Sequence, residues 1–189
     1  FDLQETMSMF NISQLAKGLF PVLLANAALA SPPKKGPVVV DYGPVFEVPA
    51  TAYNLKAGVR YRVSMDVAAT AADQTAVNRN LESAARFLNM QAQAGTPMAD
   101  LELAVVVHGP AARDLLTDDA YFAQFGLPNP NSGLLTGLQA AGVAVYICGQ
   151  TAAYQGFQPA DFHAGVTMAL SAITAHARLQ AEGFTLTPF

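Results

Sequence analysis

Cys148 is the only cysteine among 189 residues. It closes a short apolar run, Val143-Ala144-Val145-Tyr146-Ile147, and is followed at once by Gly149 and Gln150. A thiol that ends a buried strand and opens a loop or helix lies near free backbone N–H groups. Such groups, with a helix dipole, favour the nucleophilic thiolate. The competing role is a buried cysteine serving as a small hydrophobe, which is common for this residue type. His108 is the second feature. It follows the run Leu101 to Val107 and precedes Gly109-Pro110, so an imidazole stands at the end of another apolar stretch. There it can take a proton from a neighbouring thiol, or be bonded into its loop without chemistry. His163, at the end of GFQPADFH (156–163), is a candidate to line the same rim. His176 falls inside a helical stretch and is expected to pack or to meet solvent.

Several chemistries are excluded. One cysteine and three dispersed histidines do not make a zinc pattern, so neither a metal nor a cofactor is expected. The chain has no GxGxxG, GxxxxGK[ST] or GxSxG motif. A net charge of −4 and the lack of a Lys/Arg stripe argue against nucleic acid as a partner. Asp118-Asp119 reads as the capped start of a helix rather than an acid/base pair.

The elements that must position these residues alternate along the chain. Tyr61 to Val67 is a predicted strand. From Asp73 to Ala94, Val77, Leu81, Ala84, Ala85, Leu88 and Ala92 recur at three and four residues, the period of a helix with one apolar face. Thr70 or Asp73 is the expected cap, and Gly95 with Pro97 the stop. LELAVVV (101–107) suits a strand covered on both faces. Helices are expected between Pro110 and Ala141, with Gly142 as a C-terminal cap, and a strand over 143–148. A short strand at 166–170, a helix at 171–182 and a last strand at 184–186 complete the order. Strand–helix alternation with short connections implies a parallel sheet flanked by helices, in which ligands bind beyond the carboxyl ends of the strands. His108 and Cys148 both fall at that edge.

The first 57 residues differ in character. Lys17 precedes an apolar run from Leu19 to Ala30, and Ala28-Leu29-Ala30 stands before Ser31 and a proline pair. Residues 1–30 therefore read as a secretory signal peptide, with 1–8 as an upstream extension; a short buried helix is the alternative. The run is too short to span a bilayer, which takes roughly 20 residues. A leader of this kind directs the protein to the periplasm or out of the cell. Residues 31–57, rich in Pro and Val, form an extended N-terminal arm, and 58–189 the main domain. In an oxidising compartment a lone cysteine is either buried and inert, paired to another chain, or kept as a reactive thiol.

VVVHGPA (105–111), GLQAAGVAVYICGQ (137–150), the spacing Cys148-x7-Gly156 and the closing EGFTLTPF together resemble the DsrE/DsrF-like family, and within it an exported branch related to TusD and YchN. The resemblance covers about Gly36 to Phe189. It implies a three-layer α/β/α sandwich around a mostly parallel sheet of five strands, and assembly into homo-oligomers. It further implies sulfur carriage as a cysteine persulfide, with Cys148 at the sulfur-carrying position, and exchange with a sulfur donor and acceptor. His108 matches a histidine of the exported and YchN-like branches. TusD-like relatives have two arginines just before the glycine, where this chain has Tyr154 and Gln155, so cationic support for a persulfide anion is weaker. The expected function is sulfur trafficking of a sulfurtransferase-like kind. Cys148 and His108 would carry the chemistry, and Gly109, Gly149, Gln150 and His163 would line the site. A non-catalytic oligomeric module binding a small ligand or partner, and a thiol redox sensor, are the alternatives.

Overall fold

The computed structural model describes residues 31–50 and 52–187, so the expected leader lies outside the described residues. The strands are β1 (Tyr61–Val67), β2 (Leu101–Val107), β3 (Ala144–Cys148), β4 (Val166–Ala169) and β5 (Thr185–Thr187). They form one sheet in the order β4-β3-β2-β1-β5. Every pairing is parallel. The helices are α1 (Arg79–Gln93), α2 (Asp118–Phe125), α3 (Ser132–Ala140), α4 (Gly149–Gln155) and α5 (Ala172–Ala181). The chain steps outward from β1 to β4, then returns through α5 to place β5 on the far side of β1. Parallel neighbours require such crossovers, and helices fill them.

The larger core lies on the face covered by α1, α3 and α4. Val105, Val107, Ile147, Leu81, Leu134, Leu135 and Leu138 are buried there. On the other face Ala104 and Val106 pack under Ala175 and Leu179 of α5. Successive β2 side chains thus enter opposite cores, which is why LELAVVV is apolar almost without alternation. Emptying one of the fully buried leucines of α3 costs about 2–5 kcal/mol by the usual cavity relation.

Helix α1 begins later than its periodicity suggests. Asn78 is its cap and accepts from the Asn80 and Leu81 amides, while Asp73 instead closes a local turn onto Thr75. The cap ranks Asn and Asp alike, so local preference did not separate the two positions. Bonds that Asn78 donates decide it, from its backbone N–H to Asn131 Oδ1 and from Nδ2 to the Ala69 carbonyl and Asp114 Oδ2.

The arm runs along α1 rather than joining the sheet. Among the described residues its one ladder contact is an antiparallel bridge between Lys34 and Val45. Gly43, at φ 62°, lies so close to α1 that a Cβ there would collide with the Ala85 and Arg86 backbone. Among the described residues, no helix is long and apolar enough to cross a membrane.

Candidate functional site

The carboxyl rim of β1, β2 and β3 gathers the reactive side chains. Ile147 pairs with Val107, so the next residues, Cys148 and His108, stand side by side at the ends of adjacent strands, about 4.8 Å apart in the pairing direction. Both follow the α5-facing alternation of Tyr146 and Val106. Cys148 is 6% exposed and is the N-cap residue of α4.

Burial is the largest influence on the Cys148 thiol and acts to raise its pKa. It is outweighed by the Thr151 hydroxyl, then by the backbone N–H groups of Thr151, Ala172 and Gln150, and the net value falls below that of an ordinary cysteine. The Ala172 amide belongs to α5, so the sulfur faces the amino ends of two helices. Hydrogen bonding to the charged form stabilises a thiolate.

The glycines and amides expected at the site act mainly through geometry. A Cβ on Gly149 would lie 2.6 Å from the Ala169 carbonyl and 3.3 Å from that of Leu170. Only glycine lets the β4–α5 turn approach closely enough to bring the Ala172 amide to the sulfur. Gln150 donates from Nε2 to the Leu170 carbonyl across the same turn, at 3.4 Å. Gly109, at φ 55°, donates its N–H to Thr151 Oγ1 at 3.2 Å. Its carbonyl accepts from Gln155 Nε2 at 2.9 Å. Gln155, one of the two residues just before Gly156, therefore ties the His108 loop to the Cys148 helix. Tyr154, the other, is fully exposed.

Thr151 links the two loops: its oxygen accepts from Gly109, which leaves its single O–H for the sulfur. Thr151→Val is expected to move the midpoint of iodoacetamide alkylation of Cys148 to higher pH, with Thr151→Ser restoring it. Rate–pH profiles under native conditions would check this; an unmoved midpoint would contradict the role given to the hydroxyl.

His108 has a partner that its position in the chain did not reveal. Its Nε2 lies 3.1 Å from both carboxylate oxygens of Asp66 on β1, and His176 Nε2 on α5 lies 2.8 Å from Asp66 Oδ1. Nε2 is thus turned to Asp66, and the lowered pKa of the thiol comes from Thr151 and the three amides, not from His108. His176, expected only to pack or meet solvent, joins this cluster. Burial acts to raise the Asp66 pKa, but the hydrogen bonds from His176 and His108, and the charge each ring carries when protonated, prevail, and it stays below the ordinary carboxylate value. His163 is not brought to the rim. It precedes β4, at the amino end of that strand, and its ring meets Thr136 Oγ1 of α3 at 3.3 Å and the Ala164 carbonyl at 3.1 Å. A histidine in the loop that follows Cys148 in sequence has here already crossed to the opposite edge through α4.

Asp66, Thr151 and His176 are the site residues that sequence reasoning missed. One signal was available: Asp66 is an acid between the buried Met65 and Val67 of a central strand, and such a group needs a partner. Among the described residues, no group of three or more His, Cys, Asp or Glu side chains is arranged to hold a metal ion.

Fold and site together define a parallel α/β protein with one shielded thiol at the carboxyl rim of its sheet and, two strands away, a carboxylate bonded to two imidazoles. A solved structure of a protein of unknown function from Methanobacterium thermoautotrophicum shares this fold, with a TM-score of 0.51 and 22% identity over 68% of this chain and 99% of its own. No curated protein matches the chain. The DsrE/DsrF-like family matches residues 54–188, and the chain belongs to that family.

Proposed function

We propose that this protein carries sulfane sulfur as a persulfide on Cys148 and passes it between a donor and an acceptor thiol. The observation that supports this most is the thiol's setting: buried, yet met by three backbone N–H groups and a hydroxyl that favour its anion. The same groups can hold a persulfide anion, the species a carrier must keep from solvent. Family membership is in keeping with such a role. In this reading the protein works as a homo-oligomer in the periplasm or outside the cell, and its partners are a sulfur donor and a sulfur acceptor.

The test is incubation with sodium tetrasulfide followed by intact mass measurement. Wild type is expected to gain the mass of one or more sulfur atoms, removable by dithiothreitol, and Cys148→Ser to gain none. No gain on wild type, or an equal gain on Cys148→Ser, would overturn the proposal.

The 6% exposure of Cys148 favours a second reading, a non-catalytic binding module in which the thiol is packing. The two differ in alkylation under native conditions. A carrier thiol reacts near neutral pH, because its pKa is lowered and the thiolate fraction rises earlier as pH increases. A packing thiol reacts only on denaturation.

A further inference from the structure

We infer that Asp66 and His176 are positioning residues for His108, and that Asp66, His108 and Cys148 work as an ordered acid–base relay in sulfur uptake. The inference rests on the persulfide-carrier reading of Cys148 and goes beyond it by assigning the proton path and the residues that set it. The argument begins with donors and acceptors. An ionised carboxylate has no proton to give, so each imidazole that bonds Asp66 through Nε2 must carry its hydrogen on that atom. Neutral His108 then has its free lone pair on Nδ1, the one ring atom left for proton exchange. His108 stands beside Cys148 at matching strand ends, and the Gly109–Thr151 and Gln155–Gly109 bonds lock the two loops together. His176 takes the remaining side of Asp66. Its own Nδ1 is buried without a partner, so it can act on this site only through Nε2. With bonds from two rings, the carboxylate has one orientation that satisfies both.

The step this arrangement serves is a thiol–persulfide exchange. The Cys148 proton passes to Nδ1 of His108, and the thiolate attacks the outer sulfur of a low-molecular-weight persulfide, R–S–SH. A bond forms between Cys148 Sγ and that sulfur while the donor's S–S bond breaks, its electron pair leaving on R–S⁻. His108 returns the same proton to R–S⁻. Cys148-SH and R–S–SH become Cys148-S–SH and R–SH: the Cys148 sulfur is oxidised, the donor's inner sulfur is reduced, and no outside oxidant is consumed. Asp66, half-buried, stabilises the imidazolium formed between the two transfers, the part a carboxylate plays behind a catalytic histidine.

Asp66→Asn tests this, because its amide can donate as well as accept and so no longer compels hydrogen on Nε2. Three readouts are needed on the full chain: stopped-flow persulfidation by glutathione persulfide, iodoacetamide alkylation at a pH where Cys148 is fully ionised, and the His108 tautomer by 15N NMR. Asp66→Asn and His108→Asn are each expected to slow persulfidation at least tenfold, within the range of general acid–base effects. Alkylation, which needs no proton relay, is expected to stay within about twofold. Wild-type His108 is expected in its Nε2–H form and to lose that preference in Asp66→Asn. His176→Gln, whose amide can still donate to Asp66, is expected to recover more of the rate than His176→Ala; it keeps the test decisive should Asp66→Asn fold poorly. Persulfidation at the wild-type rate in Asp66→Asn and His108→Asn, or an unchanged tautomer, overturns the relay while leaving sulfur carriage intact. Failure of wild-type Cys148 to take up sulfur overturns the carrier reading itself, and the relay with it.

Discussion

Replacing Asp114 by Ala is expected to destabilise the protein by about 3–5 kcal/mol, the range reached when a buried polar network is broken. Asp114 lies in the turn after β2 and is 2% exposed. Its Oδ1 accepts from the Thr70 hydroxyl at 2.9 Å and from Asn131 Nδ2 at 3.4 Å, and its Oδ2 accepts from Asn78 Nδ2 at 2.6 Å. Those three donors come from the loop after β1 and from the starts of α1 and α3, so one carboxylate holds together the segments behind the rim. Removing it strands buried donors, each of which costs about 1–3 kcal/mol when left unpaired. Burial raises the Asp114 pKa above the ordinary carboxylate value, against the bonds from Thr70 and Asn78 and the charge of Arg113. The folded state therefore holds this proton more tightly than the unfolded chain does. Ionisation costs stability from the ordinary carboxylate range upward, and that stability is regained as pH falls. Urea titrations should show the Ala variant's deficit wider near pH ~4 than near pH ~7. An equal deficit at both, or one below about 1 kcal/mol, would contradict this account.

Asn89→Ala is expected to release the N-terminal arm and to cost about 3 kcal/mol or more. Asn89 is fully buried on α1. Its Oδ1 accepts from the Val38 and Val39 amides, and its Nδ2 donates to the carbonyls of Val39, Tyr42 and Gly43 at 2.8–3.1 Å. Five bonds from one side chain hold a segment that has little regular structure of its own. Without them the Val39 N–H and C=O and the Gly43 C=O are buried and unpaired, while the Gly43 N–H keeps its bond to Glu82, so most of the arm's pairing to α1 goes with this amide. Hydrogen exchange is the direct measurement. Protection of the Val38 and Val39 amides should be lost in Asn89→Ala while the β2 and β3 amides remain protected. Retained protection in the arm would show that Val39 and Val45, both buried, are sufficient to hold it. Asn89→Asp separates the two halves of the clamp, because it keeps an acceptor for Val38 and Val39 and loses the donor to the three carbonyls.

The sequence alone determined the elements and their class. Strands β1, β2 and β3 and helix α5 were legible to within one or two residues, because alternation, apolar runs and glycine stops are local signals. From their order followed the parallel sheet and the carboxyl rim, and from the rim the placing of Cys148 beside His108. Tertiary structure decided what those two residues touch. Asp66 and His176 are 110 residues apart, and nothing within either segment encodes their meeting; it depends on α5 returning across the sheet to place β5 beyond β1. His163, next to Cys148 in the chain order of loops, was carried to the other edge by α4 for the same reason. The cap at Asn78 and the arm clamp at Asn89 are likewise long-range, since an asparagine finds its partners only after the elements have packed. The sequence thus located the thiol and the edge on which it stands. The amides of Gln150 and Thr151 follow locally from a cysteine that opens a helix, whereas only the packed fold supplied the Ala172 amide of α5 and the carboxylate bonded to its neighbouring imidazole.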